Sequence, residues 1–180
     1  MDSNQLSALE VLREIEQRCK SRALNSQHEN VDQSLWAGMA FRLSGRKVVA
    51  PMNEISEIFN LPTSLTRVPG ASPWVKGIAN IRGSLLPIMD LQAFLLGKPV
   101  VANRRSRVLV INHDDTVTGL LVGDVIGMKH FSAKHRLSSV RVDSAIERLI
   151  SAAYKDVSGT WPVISIEKLV SDEQFRKAAA

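Results

Sequence analysis

The sequence predicts a mainly β fold built of small barrel or sandwich lobes. Many short alternating or apolar runs are separated by turn residues, and helical patterns are few and short. At 180 residues the chain can bury a real core and is in the range of one domain, with room for two small lobes. Its 44% hydrophobic and 23% charged content fits a folded globular protein rather than a disordered one. No apolar run reaches the roughly 20 residues of a membrane helix. The start, Met1-Asp-Ser-Asn-Gln, is polar and lacks the apolar core of a secretory signal. A single cysteine, Cys19, excludes an internal disulfide framework, so the cytoplasm is the expected compartment.

Residues 1–34 read as a helix and a linker. Leu6, Leu9, Leu12, Ile15 and Cys19 recur at three- and four-residue steps, giving an amphipathic stripe over about residues 4–24. Ser7 with Glu10 forms a candidate capping box, and Ser3 a candidate start one turn earlier. The stripe packs back on the body of the protein or docks on a partner; the pattern admits both. Asn25 to Ser34 is polar and linker-like.

Residues 35–180 hold the predicted β domain. Met39 to Leu43 alternates, Ser44-Gly45-Arg46 turns the chain, and Lys47 to Ala50 returns it before Pro51. Met52 to Asn60 mixes Ile55, Ile58 and Phe59 with Asn53, Glu54, Ser56 and Glu57, a pattern open to a helical turn or a bent strand. Pro62, Pro69-Gly70 and Pro73 mark a loop. A hairpin follows around Arg82-Gly83, in which Pro87 predicts an edge or bulged strand. Asp90 is the expected N-cap of the helix at Leu91–Leu96, and Gly97 its stop. Arg107 to Asn112 pairs with Thr116 to Val122 through His113-Asp-Asp115, and Asp124 to Phe131 continues the series. The end of the chain gives a strand to about Tyr154, a Ser158-Gly159 turn, the strand Thr160 to Ile164 and a helix capped by Ser165.

The inventory of chemistry points away from catalysis. His28, His113, His130 and His135 are scattered without metal-ligand spacing, and His113 beside Asp114 and Asp115 reads as a hairpin turn. No phosphate-cradling glycine loop and no nucleophile elbow occurs. Cys19 has no histidine fixed beside it. No catalytic residue, metal ligand or cofactor is therefore expected.

Charge is unevenly spread. Residues 1–35 carry four basic and six acidic side chains, and the remainder 19 basic and 12 acidic. A basic body attracts nucleic acid, acidic lipid or an acidic protein. Its densest cluster, Arg104-Arg105-Ser-Arg107, is short and reads as a solvated loop. Arg82 is a more informative cation. Arginine offers planar, multidentate donors and is enriched at interface hot spots, and Glu57 is a candidate partner if its segment folds beside the hairpin. The competing reading makes Arg82 a solvated turn residue. Gly83 supplies the positive φ of a tight hairpin.

The spacing Gly77-x-x-Asn80-x-Arg82-Gly83-x-x-x-Pro87-x-x-Asp90-Leu91 resembles the signature of CheW-like coupling proteins, adaptors that join chemoreceptors to a histidine kinase. The resemblance runs in order through Phe41-Arg-Leu-Ser-Gly-Arg, Glu57-Ile58, Arg107-Val-Leu-Val-Ile, Gly119-Leu-Leu-Val and Ile164-Ser-Ile-Glu-Lys-Leu. Val49-Ala-Pro-Met, Pro73-Trp-Val-Lys-Gly and Gly127-Met-Lys-His-Phe are similar to the couplers of type IV pilus (twitching motility) chemosensory systems. The resemblance implies two five-stranded, SH3-like barrel lobes and a cytoplasmic protein recruited to membrane receptor arrays without inserting in the membrane. It implies a CheA-like histidine kinase and the cytoplasmic tip of a methyl-accepting chemoreceptor as partners. Ile55, Glu57, Ile58, Asn80, Arg82 and Gly83 would lie at the partner-binding surface. Two departures stand out. Val49 and Ala50 replace a more usual Gly-Ile, and Gly123 replaces a common aspartate, where a glycine is expected to mark a bulge. The main rival is a basic β-barrel that binds nucleic acid, which requires exposed aromatics beside an extended basic face.

Overall fold

The computed structural model describes residues 35–113 and 116–179. The helix and linker read over residues 1–34 lie outside the described residues. Eleven strands form among those described, in two sheets. One has the order β8-β1-β2-β11-β10-β9, the other β3-β6-β7-β5-β4. The first is assembled from β1 (Leu35–Leu43), β2 (Arg46–Pro51), β8 (Val125–Ser132), β9 (Arg136–Leu137), β10 (Ile150–Asp156) and β11 (Gly159–Ile164). The second holds β3 (Ile55–Asn60), β4 (Val75–Ile81), β5 (Ser84–Asp90), β6 (Arg107–His113) and β7 (Thr116–Val122). One lobe is thus inserted between β2 and β8 of the other. The first lobe has six strands rather than the expected five, the extra one being the two-residue β9.

Both sheets curl. Phe131 on edge strand β8 stacks on Tyr154 of β10 with ring centroids 5.1 Å apart, although three strands separate β8 from β10 in the sheet. Glu57 on edge strand β3 likewise reaches Arg82, which follows the opposite edge strand β4. Each lobe therefore encloses a small core. Ala40, Val49, Phe131, Tyr154, Trp161 and Val163 fill the first lobe. Ala79, Leu86, Ile88, Val100, Val108, Val110 and Leu121 fill the second. A larger shared cluster joins Phe41, Leu43 and Val48 of one lobe to Met89, Leu109, Ile111 and Leu120 of the other. The strands consequently bury residues on both faces, which is why several read as continuous apolar runs.

Local signals hold where they depend on neighbours in sequence. Ser44 and Gly45 take φ of 50° and 82°, the positive pair that a type I′ hairpin turn requires. Asp90 caps α1 (Leu91–Leu96) by accepting from the N–H of Ala93, and Gly97 ends it at φ 66°. Ser165 caps α3 (Ile166–Val170), with Glu54 Oε2 also accepting from the Ile166 N–H at 3.2 Å. α2 (Ser144–Glu147) and α4 (Glu173–Ala179) complete the helices. Met52–Glu54 is a 3-10 turn leading into β3, so both readings of that segment hold in part.

Two expectations are corrected. Pro87 does not sit on an edge, since β5 lies between β4 and β7, but the bulged alternative holds in part, because the β4–β5 ladder shifts register between Val75 and Gly77, opposite Ile88 and Met89. The ladder between β5 and β7 begins only at Ile88, one residue beyond the proline. Pro87 still contributes its carbonyl, which accepts from Thr118 Oγ1 at 3.0 Å. Gly123 is not a bulge within a strand. It lies in the crossing between β7 and β8, where an added Cβ would stand 3.2 Å from the Arg42 carbonyl.

Candidate functional site

The β4–β5 hairpin presents the candidate site, and its sequence explains its shape. Ile81 pairs with Ser84, leaving Arg82 and Gly83 as a two-residue turn with φ of 52° and 88°. Glycine adopts such angles freely, whereas an arginine there carries a left-handed penalty. The turn is fastened from below. The Gly83 N–H donates to Asn80 Oδ1 at 3.0 Å, so the asparagine side chain serves the hairpin itself. The Asn-x-Arg-Gly spacing is the one that lets an asparagine side chain close this turn.

Arg82 Nη1 lies 3.2 Å from Glu57 Oε1 and donates a hydrogen bond to it. The Arg82 side chain is 81% exposed and that of Glu57 45%. Exposed pairs of this kind contribute about 0–1 kcal/mol to folding. The pair fixes the guanidinium above the gap between the two edge strands of the second lobe while leaving most of its donors open to solvent. Leu85, the cross-strand partner of Asn80, is 74% exposed and adds an apolar contact surface to the same hairpin.

The six residues singled out from the sequence divide. Glu57 and Arg82 meet in the ion pair, and Asn80 and Gly83 in the turn. Ile55 is buried in the shared core and pairs with Ile111, and half-buried Ile58 packs against that core from β3. A bulge between Ile55 and Glu57 sets this arrangement, turning Ile55 inward and Glu57 out.

Sequence reasoning missed several exposed apolar residues, Leu85, Ile126 and Met128 among them. Leu85 sits in the run Leu85-Leu-Pro-Ile, which reads as buried strand. Ile126 and Met128, 44% and 56% exposed, alternate on β8, an edge of the six-stranded sheet. Their period of two was visible, but nothing local showed that the strand lies on an edge.

A second polar cluster closes one end of the first lobe. Lys129 pairs with Asp156, and its ammonium lies 4.3 Å from the centroid of Trp161. Lys47 approaches the same ring at 5.0 Å and donates to the Ser158 carbonyl. Burial pushes the Asp156 carboxyl up, but hydrogen bonds from Lys129 and Ser158 outweigh it and hold the group well below the ordinary carboxylate range. For Glu54 burial is the larger influence and raises the carboxyl despite its bond to Ile166. Among the described residues no group of three or more metal-binding side chains occurs. No helix among them is long and apolar enough to cross a membrane.

A discontinuous β-barrel lobe, a second lobe inserted into it, and an asparagine-fastened Arg-Gly hairpin on the inserted lobe define a CheW-like class of protein. The chain belongs to the CheW-like domain family, whose model matches residues 37–174. It is 46% identical over 124 residues to the protein PilI of Pseudomonas aeruginosa, a match covering 68% of each chain. It is 28% identical over 111 residues to the chemotaxis protein CheW of Helicobacter pylori, covering 62% of this chain and 66% of that protein. The scaffolding protein TtCheW of Thermoanaerobacter tengcongensis shares the fold. It superposes with a TM-score of 0.66 at 17% identity, over 76% of this chain and 94% of that one.

Proposed function

We propose that the chain is a non-catalytic adaptor that couples methyl-accepting chemoreceptors to a CheA-like histidine kinase. The chemosensory pathway is that controlling type IV pili and twitching motility. The identity with PilI carries the reading, since it far exceeds that with the CheW of Helicobacter pylori. The Arg82 hairpin supplies the physical rationale: a held but solvent-open guanidinium is the kind of group in which interface hot spots are enriched. The exposed Ile126 and Met128 on edge strand β8 offer a second face, suited to a second partner. The adaptor works in the cytoplasm at receptor arrays, with residues 35–180 as the CheW-like domain.

The nucleic-acid reading is disfavoured. None of the nine aromatic residues is exposed, so the barrels present no stacking platform.

The test is co-purification of wild type and Arg82→Ala with the kinase and with the receptor's cytoplasmic tip, using circular dichroism to check folding. Binding by wild type that is lost in the folded variant supports coupling through the hairpin. Folded wild type that binds neither partner refutes the coupling reading.

A further inference from the structure

The crossing from the inserted lobe back to the first gathers cations from three separate segments. Arg42, at the end of β1, donates its backbone N–H to the Asp124 carbonyl at 2.9 Å, and the Val125 N–H donates to the Arg105 carbonyl at 3.1 Å. Both arginines are thus hydrogen-bonded to the same dipeptide. The Ser44 N–H donates to Gln92 Oε1 at 2.7 Å, and Gln92 Nε2 donates to the carbonyls of Lys98 and Pro99. This ties the β1–β2 turn to the segment after α1.

Arg42, Lys98, Arg104 and Arg105 are all exposed, and none forms an ion pair with another described residue. Asp124, the carboxylate at the crossing, accepts from Asn103 Nδ2 at 3.2 Å instead. The loop that carries Arg104 and Arg105 is built rather than loose. Arg107 Nη1 donates to the carbonyls of Arg104 and Ser106, each at 2.8 Å, while Asn103 Oδ1 accepts from the Arg105 N–H and Ser106 Oγ from the Asn103 N–H. Val101, between Lys98 and Arg104, is 86% exposed.

We propose that Arg42, Lys98, Arg104 and Arg105, with Val101, form a docking surface for an acidic protein segment. The site is independent of the Arg82 hairpin and goes beyond the coupling function. Arginine suits planar carboxylates, and a loop fixed by its own hydrogen bonds lowers the ordering cost of binding. A segment with an aliphatic side chain between carboxylates matches a loop in which one exposed valine lies between Lys98 and Arg104 along the chain. Single-stranded nucleic acid fits less well because no aromatic is exposed to stack on a base. A lipid surface fits less well because a lone valine offers little apolar insertion.

The test uses the purified full chain and a fluorescein-labelled peptide, Glu-Glu-Leu-Glu-Glu-Leu-Glu-Glu, followed by fluorescence anisotropy at low salt. Arg104→Glu/Arg105→Glu is expected to weaken binding about tenfold or more, and Arg104→Gln/Arg105→Gln to weaken it less. Lys134→Glu/Lys155→Glu, an equal charge change at exposed positions elsewhere, is expected to have little effect. Arg82→Ala is expected to bind the peptide as wild type does, so failure here and failure of the coupling reading give different results. The proposal is overturned if wild type does not bind the peptide, or if both glutamate double variants lose it equally. It is also overturned if phosphatidylglycerol vesicles or an oligothymidylate bind at Arg104 and Arg105 while the peptide does not.

Discussion

Replacing Arg82 by glycine separates the residue's cost to folding from its use in binding. At φ 52° the arginine occupies the left-handed region, which costs an L-residue about 1–2 kcal/mol. Glycine removes that penalty but loses about 0.5–1 kcal/mol through the greater freedom of its unfolded chain. Loss of the exposed pair with Glu57 costs about 0–1 kcal/mol more. These terms nearly cancel, so Arg82→Gly should lie within about 1 kcal/mol of wild type in urea denaturation. Arg82→Ala keeps the penalty and loses the pair, so it should be the less stable variant, by under about 2 kcal/mol. Both should lose partner binding by about 2 kcal/mol or more, roughly thirtyfold, if the guanidinium is a hot spot. Titration calorimetry with the receptor tip or the kinase reads this directly. A glycine variant that folds as well as wild type and binds as well refutes the assignment of Arg82 to the interface. One that unfolds readily shows that the turn depends on the arginine for its structure.

Three further outcomes follow from the geometry. Asp90→Asn should cost about 1–3 kcal/mol in chemical denaturation, because the buried carboxylate accepts from both Ala93 and Val100 N–H groups and an amide can accept only one of them. Gly77→Ala should cost about 2 kcal/mol or more, since φ is 137° and a Cβ would stand 2.4 Å from the Thr66 carbonyl; faster amide exchange at Ile78 and Thr66 would report loss of their bridge. Asp156 has a folded-state pKa below its ordinary value of 3.8, so its contribution is present above that pH and is lost as pH falls through and below it. Wild type should therefore exceed Asp156→Asn in melting temperature at pH 7, with the gap narrowing from about pH 4 downward; a constant gap would contradict the assignment.

What the sequence revealed was mostly local. The turn at Ser44-Gly45, the caps at Asp90 and Ser165, and the stop at Gly97 each depend on a few adjacent residues, and each is where it was expected. What was hidden depends on pairing across long stretches of chain. The parallel contacts Val49 with Val163 and Ile88 with Gly119 join distant segments, so the interleaving of the lobes has no local signature. Pro87 was misplaced for the same reason, because its tolerance in an interior strand depends on where the ladder to β7 begins. Ile55 looked like its exposed neighbour Glu57 because a bulge, invisible in an ambiguous pattern, sets the two in different environments. Arg104 and Arg105 stood out as a basic cluster but read as a solvated loop, because only folding brings the β1 end with Arg42 to the same crossing.

The ion pair at the hairpin remains to be explained physically. It joins the two edges of the inserted lobe, and a natural first idea is that it holds the barrel closed. Its magnitude rules that out as a main contribution. An exposed pair supplies at most about 1 kcal/mol, whereas burying one leucine or isoleucine side chain supplies about 1.5–3 kcal/mol. The lobe buries Leu86, Ile88, Val108, Val110 and Leu121 together. Closure thus rests on the enclosed core, and breaking the pair leaves it closed. What Glu57 changes is the freedom of the arginine. An unpaired surface arginine samples many rotamers, and immobilising such a side chain on binding costs about 0.5–1.5 kcal/mol. A guanidinium already held by Glu57, on a turn already closed by Asn80, has met part of that cost before a partner arrives. The pair is therefore better understood as preorganisation of a contact than as a brace. Glu57→Gln should accordingly leave stability within about 1 kcal/mol of wild type while weakening partner binding less than Arg82→Ala does. Equal losses of binding in the two variants would mean instead that Glu57 touches the partner itself.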